Sequence, residues 1–405
     1  MAAPVRLLFP LLLLAGCRCN DAPAPATPTA KTQPTVDVSK LPRVEGLPDP
    51  FRFADGTRVK SKADWTRRRV EIKKLLARWQ YGRMPPAPGN VKAKEVSSEV
   101  VFGGEATKKL LTLTMGPQHQ LRASVGLYVP TGAGKRLPVM LHIDHRKVFG
   151  ISAARELVQR GYLVVGYDPT YLDPDRPGAR GPAQAAYPGY DWGTLAVWAW
   201  GAMRVADYLL TRPDVDPGKM VVVGHSRSGK TALLAGAMDE RFALVAPAGS
   251  GCGGAAAHRV KHHRAESLTQ LTKNFPHWFL PRLRAFAGEE PHLPFDQHFV
   301  LALVAPRALV SLDALNDAWA NLPGTARAHL AARQVYEFLG APKKIGLHFR
   351  QGNHEISRAD WLTLADFSDQ VLLGRSGGRD WHRVPFEVKP AHGWTHLEAL
   401  GTIYQ

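Results

Sequence analysis

The chain has 405 residues, 45% of them hydrophobic and 21% charged, with 37 Gly and 32 Pro: enough apolar material for a large core, so a wholly disordered chain is excluded. Its only cysteines, Cys17, Cys19 and Cys252, exclude a disulfide framework and a Cys-rich zinc site. The balance of 52 Lys and Arg against 35 Asp and Glu gives a formal charge of +17, which concentrates polyanions near the surface, whether nucleic acid, anionic lipid or acidic polysaccharide.

The N-terminus narrows that choice. Arg6 precedes the apolar run from Leu7 to Leu14, which leads into Ala15, Gly16 and Cys17. This is a signal-peptide layout, too short to span a bilayer, and Leu14-Ala15-Gly16-Cys17 resembles a bacterial lipobox with Cys17 as the lipidated residue. Residues 1–16 are therefore read as the signal peptide, 17–45 as the lipidated cysteine and a Pro/Ala/Thr-rich tether, and 46–405 as one catalytic domain. The expectation is an exported bacterial lipoprotein held on a membrane, periplasmic or at the cell surface. Export takes it away from chromosomal DNA, so no nucleic-acid partner is expected.

Along the domain, residues 64–81 carry apolar positions at Trp65, Val70, Ile72, Leu75, Leu76 and Trp79 with a basic opposite face, which predicts an amphipathic helix. Strand-like runs follow near residues 96, 109, 123, 138 and 162, the earlier ones hairpin-like and the later ones buried in pattern. From residue 194 the pattern alternates: TLAVWAWGAMRVADYLLT helical, MVVVGHS a strand into a turn, KTALLAGAMD helical, then ALVAPAGS, RALVSLDA and KIGLHF as strands. Such alternation predicts a mostly parallel sheet with helices on both faces.

The stretch from Met220 to Thr231, MVVVGHSRSGKT, supports two incompatible chemistries. In one, the strand ends in a tight turn that lifts Ser226 above the sheet at a helix N-terminus, a nucleophile elbow with Gly224 as the required small neighbour and Ser228 where G-x-S-x-G has its second glycine. In the other, Gly224, Gly229, Lys230 and Thr231 satisfy G-x-x-x-x-G-K-[ST], a phosphate-cradling loop, with Asp313 available as a magnesium acid. An exported protein meets little ATP, so no nucleotide partner is expected. The esterase reading also uses residues the other leaves idle. A serine hydroxyl needs a histidine base, and that base needs an acid to fix its tautomer. In an α/β-hydrolase the chain order is Ser, acid, His. His354 follows the last strand and Asp317 follows the one before it, with Asp313 in reserve.

With GHSRSGKTALLAGAMDERFALVAPAGSGCGGAA, FPHWF, LPFDQH, NDAWANLPG and GNHE in view, the chain resembles bacterial glucuronoyl esterases, carbohydrate esterase family fifteen, from about Leu47 to near His354. The resemblance implies an α/β-hydrolase fold and metal-free, cofactor-free cleavage of esters between glucuronate on xylan and lignin alcohols. By resemblance Ser226 is the nucleophile, His354 the base, Arg227 the residue that holds the oxyanion, Lys230 and Glu266 the contacts to sugar hydroxyls, and Trp319 the wall of the sugar site. The substrate expected is thus a uronic-acid ester of plant cell-wall polysaccharide.

One departure matters. Many members place the acid immediately before the Ser-Gly of S-G-x-G-G, and that position is Gly249 here. Others use an acid two residues before the tryptophan, which is Asp317. An acetyl xylan or feruloyl esterase on the same fold, and a silent polysaccharide-binding lipoprotein, are the competing readings. His277, Trp278, Asp296 and His298 are read as framework, and the basic stretch from His258 to Arg264 as a solvated face, with Arg259 bordering the substrate pocket.

Overall fold

The structure is a computed structural model that describes residues 37–132 and 136–388; Cys17, its lipobox and most of the tether lie outside the described residues. Among the described residues nine strands form one sheet: β1 Lys92–Val101, β2 Ala106–Met115, β3 Leu121–Pro130, β4 Leu137–Ile143, β5 Leu163–Asp168, β6 Val215–His225, β7 Phe242–Ala248, β8 Ala308–Ala314 and β9 Ile345–Arg350. Their spatial order is β1-β2-β3-β5-β4-β6-β7-β8-β9. β1, β2, β3 and β5 pair antiparallel, whereas every pairing from β5–β4 through β8–β9 is parallel. The reversal of strand order around β4 makes a crevice beyond the carboxyl ends of β4 and β6, the place where open α/β sheets bind ligands.

The helices are α1 Lys62–Leu76, α2 Ala154–Gln159, α3 Pro182–Ala186, α4 Thr194–Leu209, α5 Arg227–Met238, α6 Leu268–Asn274, α7 Gln297–Val304, α8 Leu322–Phe338 and α9 Arg358–Leu373. Apolar side chains on the two faces of the sheet enter two separate clusters. Val222 and Val245 face α4, α5, α7 and α8, while Val221, Val223 and Val310 face α2 and α9. A central strand covered on both sides has no polar face to show, hence the unbroken run Met220–Val223. β1 is the opposite case: an exposed edge whose Glu95 and Glu99 pair across to Lys109 and Lys108 at 2.9 and 2.7 Å. Charges on an edge strand discourage pairing with another chain.

Two sequence expectations change in detail, and the segment beyond Arg375 packs on the domain. The amphipathic helix ends at Leu76 and continues as a π-helical turn, Ala77–Tyr81; its buried stripe includes Arg68, while Val70 is 52% exposed. Arg68 is admitted because its guanidinium reaches the Pro50 carbonyl at 3.2 Å and Glu71 at 2.8 Å. The end of the segment read as tether is docked on the domain: the Val44 N–H donates to Pro291 O at 2.9 Å, and His292 Nδ1 donates to Leu41 O at 2.8 Å. Beyond Arg375, Trp381 packs on Phe367, and its carbonyl accepts the Leu347 N–H at 2.7 Å, covering part of the β9 edge.

Candidate active site

The end of β6 and the start of α5 make a turn so tight that Ser226 takes φ 59° and ψ −123°, a conformation that costs a non-glycine residue about 1–3 kcal/mol. A side chain at Gly224 is sterically excluded, since a Cβ there would stand 2.2 Å from the Ser228 carbonyl oxygen. The Ser226 N–H is tied to the Ala248 carbonyl at 2.9 Å, locking the elbow to the end of β7. α5 begins at Arg227, immediately after the nucleophile, and the first amide groups of any α-helix have no partner within it.

His354 Nε2 lies 2.9 Å from Ser226 Oγ, and His354 Nδ1 lies 2.5 Å from Asp317 Oδ2. A carboxylate can only accept, so Nδ1 carries the proton and Nε2 is free to take one from the serine. The remaining Asp317 oxygen accepts the Ala320 N–H at 3.3 Å, so the same carboxylate caps the turn that follows β8. The two loops meet through backbone bonds: Leu315 N–H to Arg350 O at 2.8 Å and Asn316 N–H to Gly352 O at 3.1 Å. Arg350 braces the histidine loop by donating to the Glu355 carbonyl at 2.9 Å while paired with Asp360 at 2.7 Å. Asp313, the reserve acid, is buried on β8, with one oxygen lacking a hydrogen-bond partner among the described residues. Burial, then the charges of Asp317 and Asp360, push its carboxyl up to about 8.

Arg227 does not point freely into solvent. Its guanidinium pairs with Asp175 and lies over the rings of Trp278 and Phe275, at 5.0 and 5.5 Å from their centroids, while its buried Nε has no partner among the described residues. Asp175 in turn accepts from Trp278 Nε1 at 2.7 Å and His277 Nε2 at 2.9 Å. Burial alone would raise the Asp175 carboxyl, but these donors and the Arg227 charge hold it well below the usual range. Sequence reasoning missed Asp175. His277 and Trp278, read as framework, hold the arginine that stands beside the nucleophile.

Lys230 is buried, donating to the carbonyls of Ser250 at 2.6 Å and Cys252 at 2.7 Å and standing 3.6 Å from Glu266 Oε2. Burial raises the Glu266 carboxyl, and the neighbouring Lys230 opposes that rise. The Glu266 N–H donates to the Trp319 carbonyl at 3.1 Å, joining these residues into one wall, and the Trp319 side chain is 43% exposed. The phosphate-loop reading fails here: two of the three Lys230 ammonium donors are spent on carbonyl oxygens, Glu266 stands beside the third, and the Thr231 hydroxyl donates to the Arg227 carbonyl at 3.0 Å.

Two further expectations are corrected. His258 is no part of a solvated face but is buried, 3.4 Å from Cys252 Sγ and 2.5 Å from Gln297 Nε2. Arg259 does not border the pocket; its side chain is spent on Asp296 at 3.2 Å and on the carbonyls of Pro291, Leu293 and Phe295.

A cavity of about 360 Å³ opens beside Ser226, between the His354 loop and the segment after β4. In that segment His145 Nε2 accepts from Arg146 Nε at 3.2 Å, so the His145 proton sits on Nδ1 and is directed to Ser228 Oγ at 3.3 Å. Burial, then the charges of Arg227 and Arg146, push the His145 imidazole down to about 4, keeping it neutral. Ser228, the departure from the elbow pattern, thus has a hydrogen-bonding partner across the crevice.

Comparison with known proteins gives the family. Residues 114–340 match the model of the family described as glucuronyl esterase, fungi. The chain is 33% identical over 400 residues to the carbohydrate esterase MZ0003 of an unknown prokaryotic organism, covering 84% of this chain and 92% of that protein. It is 30% identical to a 4-O-methyl-glucuronoyl methylesterase of Podospora anserina, covering 89% of this chain and 73% of the other. A solved glucuronoyl esterase from Caldicellulosiruptor kristjansonii superposes with a TM-score of 0.73 at 34% identity, over 88% of this chain and 98% of that one. Overall identity, coverage and fold agree, and the chain belongs to the glucuronoyl esterases, carbohydrate esterase family fifteen.

Proposed function

We propose that this chain hydrolyses esters of 4-O-methyl-glucuronic acid, of the kind borne by glucuronoxylan, through an acyl-enzyme on Ser226. The observation that carries the reading is the continuous chain of contacts from Ser226 Oγ to His354 Nε2 at 2.9 Å and from His354 Nδ1 to Asp317 Oδ2 at 2.5 Å. Ser226 attacks the ester carbonyl as His354 takes its proton. The imidazolium, supported by Asp317, then protonates the departing alcohol. The charge that develops on the carbonyl oxygen is met by the backbone at the start of α5 and by Arg227, whose Nε has no other partner among the described residues. Water, activated by the same histidine, attacks the acyl-enzyme and frees the uronate. Lys230 and Glu266 hold sugar hydroxyls, and Trp319 covers the apolar face of the ring, a role suited to an exposed aromatic.

The carboxylate that tells a uronate from an acetyl or feruloyl group becomes an ester in the substrate, so recognition falls to the ring. The test is therefore a comparison of methyl 4-O-methyl-glucuronate with acetylated xylan and a feruloyl ester. Turnover of the glucuronate ester that disappears in Ser226→Ala supports the reading; faster release of acetate or ferulate would overturn it.

We also propose that the mature chain is an exported lipoprotein anchored through Cys17. The support is the Leu14-Ala15-Gly16-Cys17 sequence behind its apolar run. Expressed with its own leader, the protein should partition with membranes and take up labelled fatty acid, and Cys17→Ser should abolish both. A soluble, unlabelled wild-type protein would refute the anchor.

A further inference from the structure

A second groove, sharing no lining residue with the cavity at Ser226, runs between α1, its π-helical turn and α4 and encloses about 560 Å³, a size common among small-molecule sites. α1 and the first residue of the π turn line it with Val70, Lys73, Lys74 and Ala77, spaced i, i+3, i+4 and i+7. This is a second stripe of the helix, beside the one that enters the core. It accounts for Val70, an apolar side chain left 52% exposed. α4 lines the groove with Trp200, Met203 and Arg204, again at i, i+3 and i+4. Met84 and Met238 join Met203 there, so three of the chain's seven methionines meet in one place, and their soft thioethers adapt to a ligand's shape.

Among the described residues the lining holds four cations, Lys73, Lys74, Arg83 and Arg204, and neither Asp nor Glu. Arg83 and Arg204 have acid partners outside the groove, Asp191 at 3.7 Å and Asp207 at 2.6 Å, and lie over the rings of Tyr190 and Trp200, 5.7 and 5.1 Å from the centroids. Lys73 and Lys74 make no ion pair among the described residues. The acids near Lys73, Asp239 and Glu240, are taken by Arg241 at 2.6 Å and Arg69 at 2.7 Å. Lys73 is half-buried, and its three ammonium donors share one long hydrogen bond, 3.4 Å to the Met238 carbonyl. Burial, then the charge of Arg69, pulls its pKa below the usual lysine range. We propose that this groove binds an aromatic monocarboxylate of the hydroxycinnamate kind, with its carboxylate on Lys73 and Lys74 and its ring among Tyr190, Met84 and Met203. The carboxylate supplies the counter-charge that a half-buried ammonium lacks. The ring finds guanidinium planes and thioethers, both of which attract aromatic faces and edges more than a saturated chain. A sugar acid would satisfy the lysines but leave its hydroxyls against apolar side chains.

The experiment titrates ferulate into the protein labelled with ¹³C at its methionine methyl groups. Ring currents should move the Met84, Met203 and Met238 signals and leave Met115, Met140 and Met220, which lie outside the lining, in place. Methyl ferulate, with the same ring and no charge, should bind about tenfold more weakly or worse, the scale of a lost hydrogen bond between charged groups. The double variant Lys73→Met/Lys74→Met should lose ferulate affinity by a similar factor, and so should Val70→Glu, which sets a like charge at an exposed position on the rim. Both should keep the wild-type melting temperature and the wild-type rate on methyl 4-O-methyl-glucuronate, since neither touches the Ser226 site. Methionine signals unmoved by ferulate, or affinity unchanged in both variants, would overturn the site. Equal binding of methyl ferulate would remove the role of the lysines, and tighter binding of laurate than of ferulate would overturn the aromatic assignment.

Discussion

Gly249 stands directly against Asp317: a Cβ added to it would lie 3.7 Å from Asp317 Oδ2 and 3.0 Å from His225 Nε2. Two places in the chain, one after β7 and one after β8, therefore address the same small volume next to the His354 imidazole. Only the second carries an acid here. Gly249 has φ +49°, a left-handed conformation that Asp tolerates better than most residues. His225, whose buried Nε2 has no partner among the described residues and whose imidazole is pushed down to about 3 by burial and then by His354, fills the vacated side as a neutral ring.

The first prediction follows from that shared volume. Asp317→Asn should lower kcat by about 10³–10⁴, since the amide cannot hold the His354 tautomer or its charge. Adding Gly249→Asp to that variant should recover about tenfold or more, because the Cβ of the new side chain starts within van der Waals distance of the old carboxylate. A double variant as slow as Asp317→Asn, with an unchanged melting temperature, would show that the two positions are not interchangeable.

Asp313 gives a pH-dependent prediction of the opposite kind. Its folded carboxyl is raised to about 8 from 3.8, so the unfolded chain releases this proton at lower pH than the native one. Stability is then unaffected below about pH 4, falls as pH rises towards 8, and levels off above it, with a slope of at most about 1.4 kcal/mol per unit. Asp313→Asn, neutral at all pH, should raise the melting temperature increasingly between pH 4 and 8 and retain most activity. Loss of activity comparable to Asp317→Asn would transfer the acid's role to Asp313.

Ser226, His354 and Asp317 were legible because an elbow has a local signature and the other two sit just after the last two strands in chain order. Asp175 was not, since it joins Arg227 only when the loop after β5 folds over the crevice, a tertiary pairing with no local pattern. The apolar–basic stripe of α1 was visible but rotated: Arg68 is buried by bonds that only the folded chain supplies, and Val70 is turned outward. α7 was missed because QHFVLALV is buried on all sides and so lacks a helical period, and α8 because Pro323 and Gly324 disguise its first turn. His258 and Arg259 looked like surface charge because composition cannot show that Asp296 and Gln297 wait for them inside.

Asp175 should matter through Arg227 and not through contact with the ester. Asp175→Asn keeps an acceptor for Trp278 but weakens the hold on the guanidinium, so kcat should fall about tenfold or more with a smaller change in KM. Asp175→Glu should be closer to wild type than Asp175→Asn. If kcat is unchanged in the Asn variant while the melting temperature drops, the carboxylate is structural only.

The contact between Ser228 and His145 makes the last prediction. The elbow pattern would have glycine at 228, and the hydroxyl found instead sits 3.3 Å from His145 Nδ1, with Arg146 Nε holding the opposite nitrogen. One neutral hydrogen bond is worth about 0.5–1.5 kcal/mol, enough to bias the segment after β4 towards the nucleophile without fixing it there. Ser228→Ala keeps the helix propensity of the first turn of α5 and removes only the hydroxyl. Amide exchange across residues 144–150 should then speed up by up to about tenfold, the ratio that 1.4 kcal/mol implies. The His145 ring nitrogens, followed by ¹⁵N chemical shift, should lose their preference for Nδ1–H, because one of the two bonds that select it is gone. Exchange and tautomer both unchanged in Ser228→Ala would mean that Arg146 alone orients the histidine.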